Sequence, residues 1–161
     1  MNRKSSIPTC QSAEERARLN KAEANCRQHG AAFTPIRREV FTLLQRHPRG
    51  IKAYDLLELI RTQKPNASPP TVYRALNFLV AQGLAHKISC LNLFIACDQT
   101  CHKPNDTGLF LICPECGSVT ELHDDDTSQE LHKALVAAGY RLDRSVMEVG
   151  AVCPSCTAQG R

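Results

Sequence analysis

Tryptophan is absent from this 161-residue chain, methionine occurs only twice, and aromatic residues make up 5%. Hydrophobic residues reach 42%, so a core remains possible, but two small domains, one of them stapled by metal, suit the composition better than one large aromatic-rich core. No stretch approaches the ~20 consecutive apolar residues of a membrane span, which excludes a transmembrane helix. No apolar run follows Met1-Asn2-Arg3-Lys4-Ser5-Ser6, so a secretory leader is not expected and the expected location is cytoplasmic. In that setting the nine cysteines are expected as metal ligands rather than disulfides.

Charge is unevenly spread. Residues 1–88 carry fifteen Lys and Arg against six Asp and Glu, whereas residues 89–161 carry five against ten. A basic half joined to an acidic half implies one domain that faces a polyanion and one that does not.

Two short motifs stand out, Cys113-Pro114-Glu115-Cys116 and Cys153-Pro154-Ser155-Cys156. Each pair can bite a metal ion from one turn, and together they complete a tetrahedral sulfur shell for Zn²⁺. Gly117 stands where such a knuckle must free its backbone. Four thiolates leave no open coordination position, so the site is structural and not catalytic. A disulfide pair or a redox Cys-x-x-Cys is the alternative, less expected of two proline-containing pairs.

Helix signals dominate the basic half. Residues 1–11 read as a loose tail. Ser12-x-x-Glu15 is a capping-box pattern opening a helix that Gly30 stops. Thr34-Pro35 caps and starts a second helix, a third spans about Ala53 to Gln63, and Ser68-Pro69-Pro70 starts a fourth that Gly83 stops. Runs from Leu84 to Cys90 and from Leu93 to Cys97 read as a hairpin turning at Leu91-Asn92. Helices followed by a hairpin read as a winged helix-turn-helix. The acidic half predicts a strand over Leu109–Ile112, the first knuckle, a strand over Val119–His123 and a solvated Asp124–Asp126 turn. A helix capped by Thr127-x-x-Glu130 follows, then strands over Tyr140–Asp143 and Val146–Val152. The fold class is therefore α+β: a winged-helix domain over residues 1–98, a hinge over 99–108, and a small α/β domain over 109–161.

At about 100° per residue, Val72, Leu76 and Leu79 share one face of the fourth helix and Arg74 the opposite one. Thr71, Asn77 and Phe78 lie towards that outer side. A helix inserted in a DNA groove is built in this way, and Arg74 could make a bidentate contact to guanine. Tyr54 could reach sugar, phosphate or a thymine methyl, or pack in the core. Arg37, Arg38, Lys52, Arg61 and Lys64 are candidates for phosphate contact. Glu58 and Arg61 could pair within their helix or with a neighbouring protomer.

A second set of metal-type residues remains: His86, Cys97, Cys101, His102 and Glu121. His86 begins the wing and Cys97 ends it, so a hairpin can bring them together. Cys101 and His102 lie in the hinge, and Glu121 lies in the second domain, where His123 could substitute for it. Imidazole, thiolate and carboxylate together suit Zn²⁺, whereas iron favours nitrogen and oxygen donors. Such a site would clamp one domain to the other. His29, His47 and His132 read as surface residues, and Cys10 and Cys26 as bystanders.

Thr34-Pro35-x-Arg37, Ala53-Tyr54-Asp55-Leu56-Leu57, Pro70-Thr71-Val72-Tyr73-Arg74-Ala75-Leu76, Leu84-Ala85-His86-Lys87 and the two cysteine pairs resemble the ferric uptake regulator family, across nearly the whole chain. Iron-sensing members carry a His-His-x-His cluster before the first cysteine pair. Here Cys101-His102-Lys103-Pro104-Asn105-Asp106 stands in that place, which favours the zinc-sensing branch. The resemblance implies a homodimer on an A·T-rich palindrome in double-stranded DNA, with Tyr54 and Arg74 as DNA contacts. It implies Cys113, Cys116, Cys153 and Cys156 as structural zinc ligands, and His86, Cys97 and Glu121 as sensor ligands. His102 or Cys101 would complete the sensor set. The expected function is a zinc-responsive repressor of zinc-uptake genes, not an enzyme, with two zinc sites per protomer and no small-molecule substrate. An iron or peroxide sensor of the same family, a thiol–disulfide redox protein and a zinc-stapled protein-interaction module are the alternatives.

Overall fold

A computed structural model describes residues 13–97, 108–122, 125–141 and 146–159. The tail at 1–11, Ser12, the hinge residues 99–107, Cys10, Cys101, His102 and His123 fall outside this set.

The first half begins with α1 (Ala13–Gln28), α2 (Pro35–Gln45), α3 (Ala53–Arg61) and α4 (Pro69–Ala81). Proline occupies the first turn of α2 and of α4, where its missing N–H costs nothing. Thr34 and Ser68 hold the N-cap positions, yet neither hydroxyl caps its helix, and Ser68 Oγ lies 2.9 Å from Thr71 Oγ1 instead. Arg46 grips both carboxylate oxygens of Glu15 at 3.1 and 3.2 Å and ties α1 to the end of α2, while the expected cap residue Ser12 lies outside the described residues. One apolar core joins the four helices, with Phe41, Leu44, Leu56, Ile60, Leu76 and Leu79 fully enclosed. Cys26 belongs to it as a small apolar residue.

Two antiparallel strands follow, β1 (Ala85–Ile88) and β2 (Leu93–Ala96), with His86 opposite Ile95. Asn92 makes their turn at φ 50°, a conformation asparagine tolerates. Gly50 lies under the wing at φ +84°, and a Cβ there would stand 2.4 Å from Leu93 Cδ1.

The second half carries β3 (Gly108–Ile112), β4 (Val119–Leu122), α5 (Asp125–Ala137), β5 (Val146–Gly150) and α6 (Pro154–Ala158). The sheet order is β4-β3-β5, antiparallel between β3 and β4 and parallel between β3 and β5. Three expectations fail here. The helix starts at Asp125, two residues before Thr127, so Thr127 is not its cap and Asp125 and Asp126 are helical rather than a turn. Acidic residues favour the first turn of a helix as readily as a solvated loop. Tyr140 and Arg141 are not in a strand, because the chain leaves α5 through Gly139 at φ +82°. The second cysteine pair opens a short helix that spacing alone did not reveal.

The wing lies against this sheet. Ile88 and Ile95 pack with Phe110 and Ile112 in a second apolar cluster separate from the helical core.

Candidate metal centre

Cys113, Cys116, Cys153 and Cys156 converge, their sulfurs all within 4.8 Å of one another. The first knuckle is a tight turn in which Gly117 N–H donates to the Cys113 carbonyl at 2.9 Å, with Gly117 at φ +69°. The second is a helix start: Cys153 is the N-cap of α6, Pro154 follows, and Cys156 lies one turn on. The parallel pairing of β3 with β5 delivers both knuckles to the same end of the sheet.

The thiols do not share one acidity. Cys113 is drawn down to about 6, first because the Cys153 backbone N–H donates to its sulfur. Cys116 is lowered too, first by the Ser118 hydroxyl 3.2 Å away. Cys156 is pushed up to about 12, first by its hydrogen bond with Cys153. Four thiolates this close repel one another unless a cation sits among them, so the donor set fits a divalent metal of soft preference such as zinc.

The second cluster joins His86, Cys97 and Glu121, again with ligand atoms within 4.8 Å of one another. Cys97 N–H donates to the Leu84 carbonyl at 3.0 Å, closing the base of the wing and placing Cys97 beside β1. Glu121 reaches over from β4, with Oε1 3.9 Å from His86 Nε2. The two side chains are only 7% and 9% exposed. Nitrogen, sulfur and oxygen donors gathered this closely, with the His86 and Glu121 side chains buried, are a mixture that a four-coordinate zinc accepts. The site therefore also fits zinc. The fourth-ligand candidates, His102 and Cys101, and the substitute His123 lie outside the described residues.

The outer face of α4 presents Thr71, Tyr73, Arg74 and Asn77 to solvent, while Val72, Ala75, Leu76 and Leu79 face the core. Tyr54 is 66% exposed on α3, not packed inside, and Lys52 is exposed at the start of that helix. Arg37 is tied down: its guanidinium lies 3.4 Å from the centroid of the Phe78 ring on α4 and donates to the Ala32 carbonyl. Arg38 pairs with Glu23, Lys64 with Glu39, and Arg61 with Glu58 in its own helix. Glu148 on β5 went unnoticed in the sequence, yet it accepts hydrogen bonds from the backbone N–H of Ser89 at 2.6 Å and of Cys90 at 2.9 Å. Burial raises its carboxyl, but the backbone and side-chain hydrogen bonds from Cys90 and Ser89 outweigh that and lower it from its ordinary value. No local signal marks this role, because its partners lie nearly sixty residues earlier.

Among the described residues, no helix is long and apolar enough to cross a membrane. The model of the ferric uptake regulator family matches residues 28–150. The zinc uptake regulation protein of Escherichia coli (strain K12) is 38% identical over 138 residues, covering 86% of this chain and 80% of that protein. A solved zinc uptake regulator complexed with zinc and DNA superposes with a TM-score of 0.81 at 35% identity, covering 92% of this chain and 99% of its own. The holo form of XcZur superposes at 0.72 with 37% identity, covering 88% and 98%.

Proposed function

The chain belongs to the ferric uptake regulator family, as a homologue of the zinc uptake regulator, and from that premise we propose that it is a homodimeric repressor of zinc-uptake genes that grips DNA only when its sensor site is filled. The convergence of His86, Cys97 and Glu121 carries this reading. Two of these residues belong to the wing beside the reading helix, and the third belongs to the sheet of the acidic half. Bound zinc supplies a centre that bonds imidazole, thiolate and carboxylate together. The wing donors hold the reading half, and Glu121 holds the pairing half, so the arrangement with all three groups adjacent is the one favoured when metal is plentiful. The four-thiolate cluster keeps the sheet folded.

Each half has its own task. Residues 1–98 read DNA: Arg74 and Thr71 on α4 face the bases, while Tyr54 and Lys52 face the backbone. Arg37 steadies α4 through Phe78, beside any contact with phosphate. Residues 109–161, joined by the hinge at 99–108, pair the protomers. Val136 and Tyr140 at the end of α5 and Val149 and Val152 around β5 are exposed apolar residues, suited to burial against a second copy. A dimer would set two reading helices on half-sites about one helical turn apart, ~34–36 Å, and an A·T-rich palindrome is the expected target. His102 or Cys101 completes the sensor shell.

The test is a gel-shift titration of duplex DNA before and after a chelator strips the weaker zinc site. Binding should fall on stripping and return with added zinc. Equal binding in both conditions refutes the sensor.

A further inference from the structure

Glu121, Phe110 and Glu148 form one row across the sheet, since Phe110 is paired in register with Glu121 on β4 and with Glu148 on β5. Residues in such a row project from the same face. The wing lies along them. Glu121 meets His86 near the base of the wing. Phe110 meets the middle, with its ring centroid 4.8 Å from that of His86 and its side chain in one cluster with Ile88 and Ile95. Glu148 meets the tip, where Ser89 and Cys90 donate their backbone N–H groups to its two oxygens.

The two ends of this contact differ in kind. The end at Glu121 would be held by a metal shared with His86 and Cys97, and beyond it the wing rests on apolar contacts with Phe110 and Ile112 that carry no direction of their own. The end at Glu148 needs no metal and supplies the second point that fixes the angle. Its donors include the backbone N–H groups of Ser89 and Cys90, to which the side chains of the same two residues add. It is also chemically strong for its size, because one carboxylate accepts two N–H bonds at once.

We infer that Glu148 is a metal-independent latch on the wing tip, a positioning residue that sets the zinc level at which the reading half is held for DNA. The inference rests on the zinc-gated reading above. If the arrangement that zinc favours is also the latched one, losing the latch lowers the population competent for zinc and weakens apparent zinc affinity by the same factor.

The experiment uses the full-length chain, with Glu148→Gln as a near-isosteric variant and Glu148→Ala as the full deletion. The DNA probe is a duplex selected by the wild-type protein from a random-sequence pool. Binding is followed against buffered free zinc, alongside zinc per protomer, thermal melting and amide hydrogen exchange at Ser89 and Cys90. Loss of charge-assisted bonds at a partly solvated site should raise the zinc needed for half-maximal binding about tenfold in Glu148→Ala and less in Glu148→Gln. Exchange at the two amides should quicken, while the four-thiolate zinc and the melting temperature stay as in wild type. An unchanged zinc midpoint, or unchanged exchange at Ser89 and Cys90, overturns the latch. So does loss of the four-thiolate zinc in both variants, which would make Glu148 a folding residue. If the wild-type protein itself binds the duplex equally at all zinc levels, the zinc-gated reading fails first, and the exchange data still report whether the latch exists.

Discussion

Cys113→Ser should unfold the sheet unit and leave the helical unit standing. From residue 108 onward the buried apolar or sulfur side chains among the described residues are Leu109, Phe110, Ile112, Cys113 and Cys156. Only three are large apolar groups, and their burial supplies ~5–9 kcal/mol at ~1.5–3 kcal/mol each. A four-ligand structural zinc contributes ~10–16 kcal/mol of folding free energy in small domains. The metal therefore outweighs the core it staples, and serine, a poor zinc ligand, removes a quarter of the sulfur shell. The helical unit is independent of it: nineteen buried residues form one cluster, and none belongs to the four-thiolate set. Zinc content, far-ultraviolet circular dichroism and hydrogen exchange resolved by peptide provide the assay. Amides in β3 and β5 should lose protection, those in α2, α3 and α4 should keep it, and sedimentation should show loss of the proposed dimer. Protection retained in β3 and β5 without the cluster metal refutes the argument. Protection lost equally in the helices refutes the independence of the two units.

Two further outcomes are expected. Arg74→Ala should cost ~1–3 kcal/mol of specific DNA binding, read as a loss of operator over random duplex at fixed salt; an unchanged preference means that Arg74 does not read bases. Gly50→Ala should lower stability by ~1–3 kcal/mol in denaturant unfolding, because its positive φ and the overlap of a new Cβ with Leu93 and Ile95 act together; a neutral variant would show that the wing can shift freely.

The helices were legible because their ends are marked by residues with few alternatives. Proline sits in the first turn of α2 and α4, and Gly30, Gly83 and Gly139 take positive φ just after α1, α4 and α5. The wing was legible because Asn92 divides two β-prone runs. The start of α5 was misread because acidic residues suit both a turn and a first helical turn. The helix α6 was missed because five residues carry too little periodicity, and Cys-Pro-Ser-Cys looked like a knuckle alone. The two ligand sets were legible as residue types, and the sulfur cluster also as spacing. What no spacing could supply was the row across the sheet that sets Glu121 and Glu148 against opposite ends of the wing, since that depends on how β3, β4 and β5 register.

His86 and Cys97 sit at the base of the same hairpin whose tip rests on Glu148. One short ribbon thus carries both contacts. On the reading proposed above, a change in the shape of this ribbon would reach the metal ligands at one end and the Glu148 contact at the other. Substitutions in the hairpin would then be constrained from both ends at once.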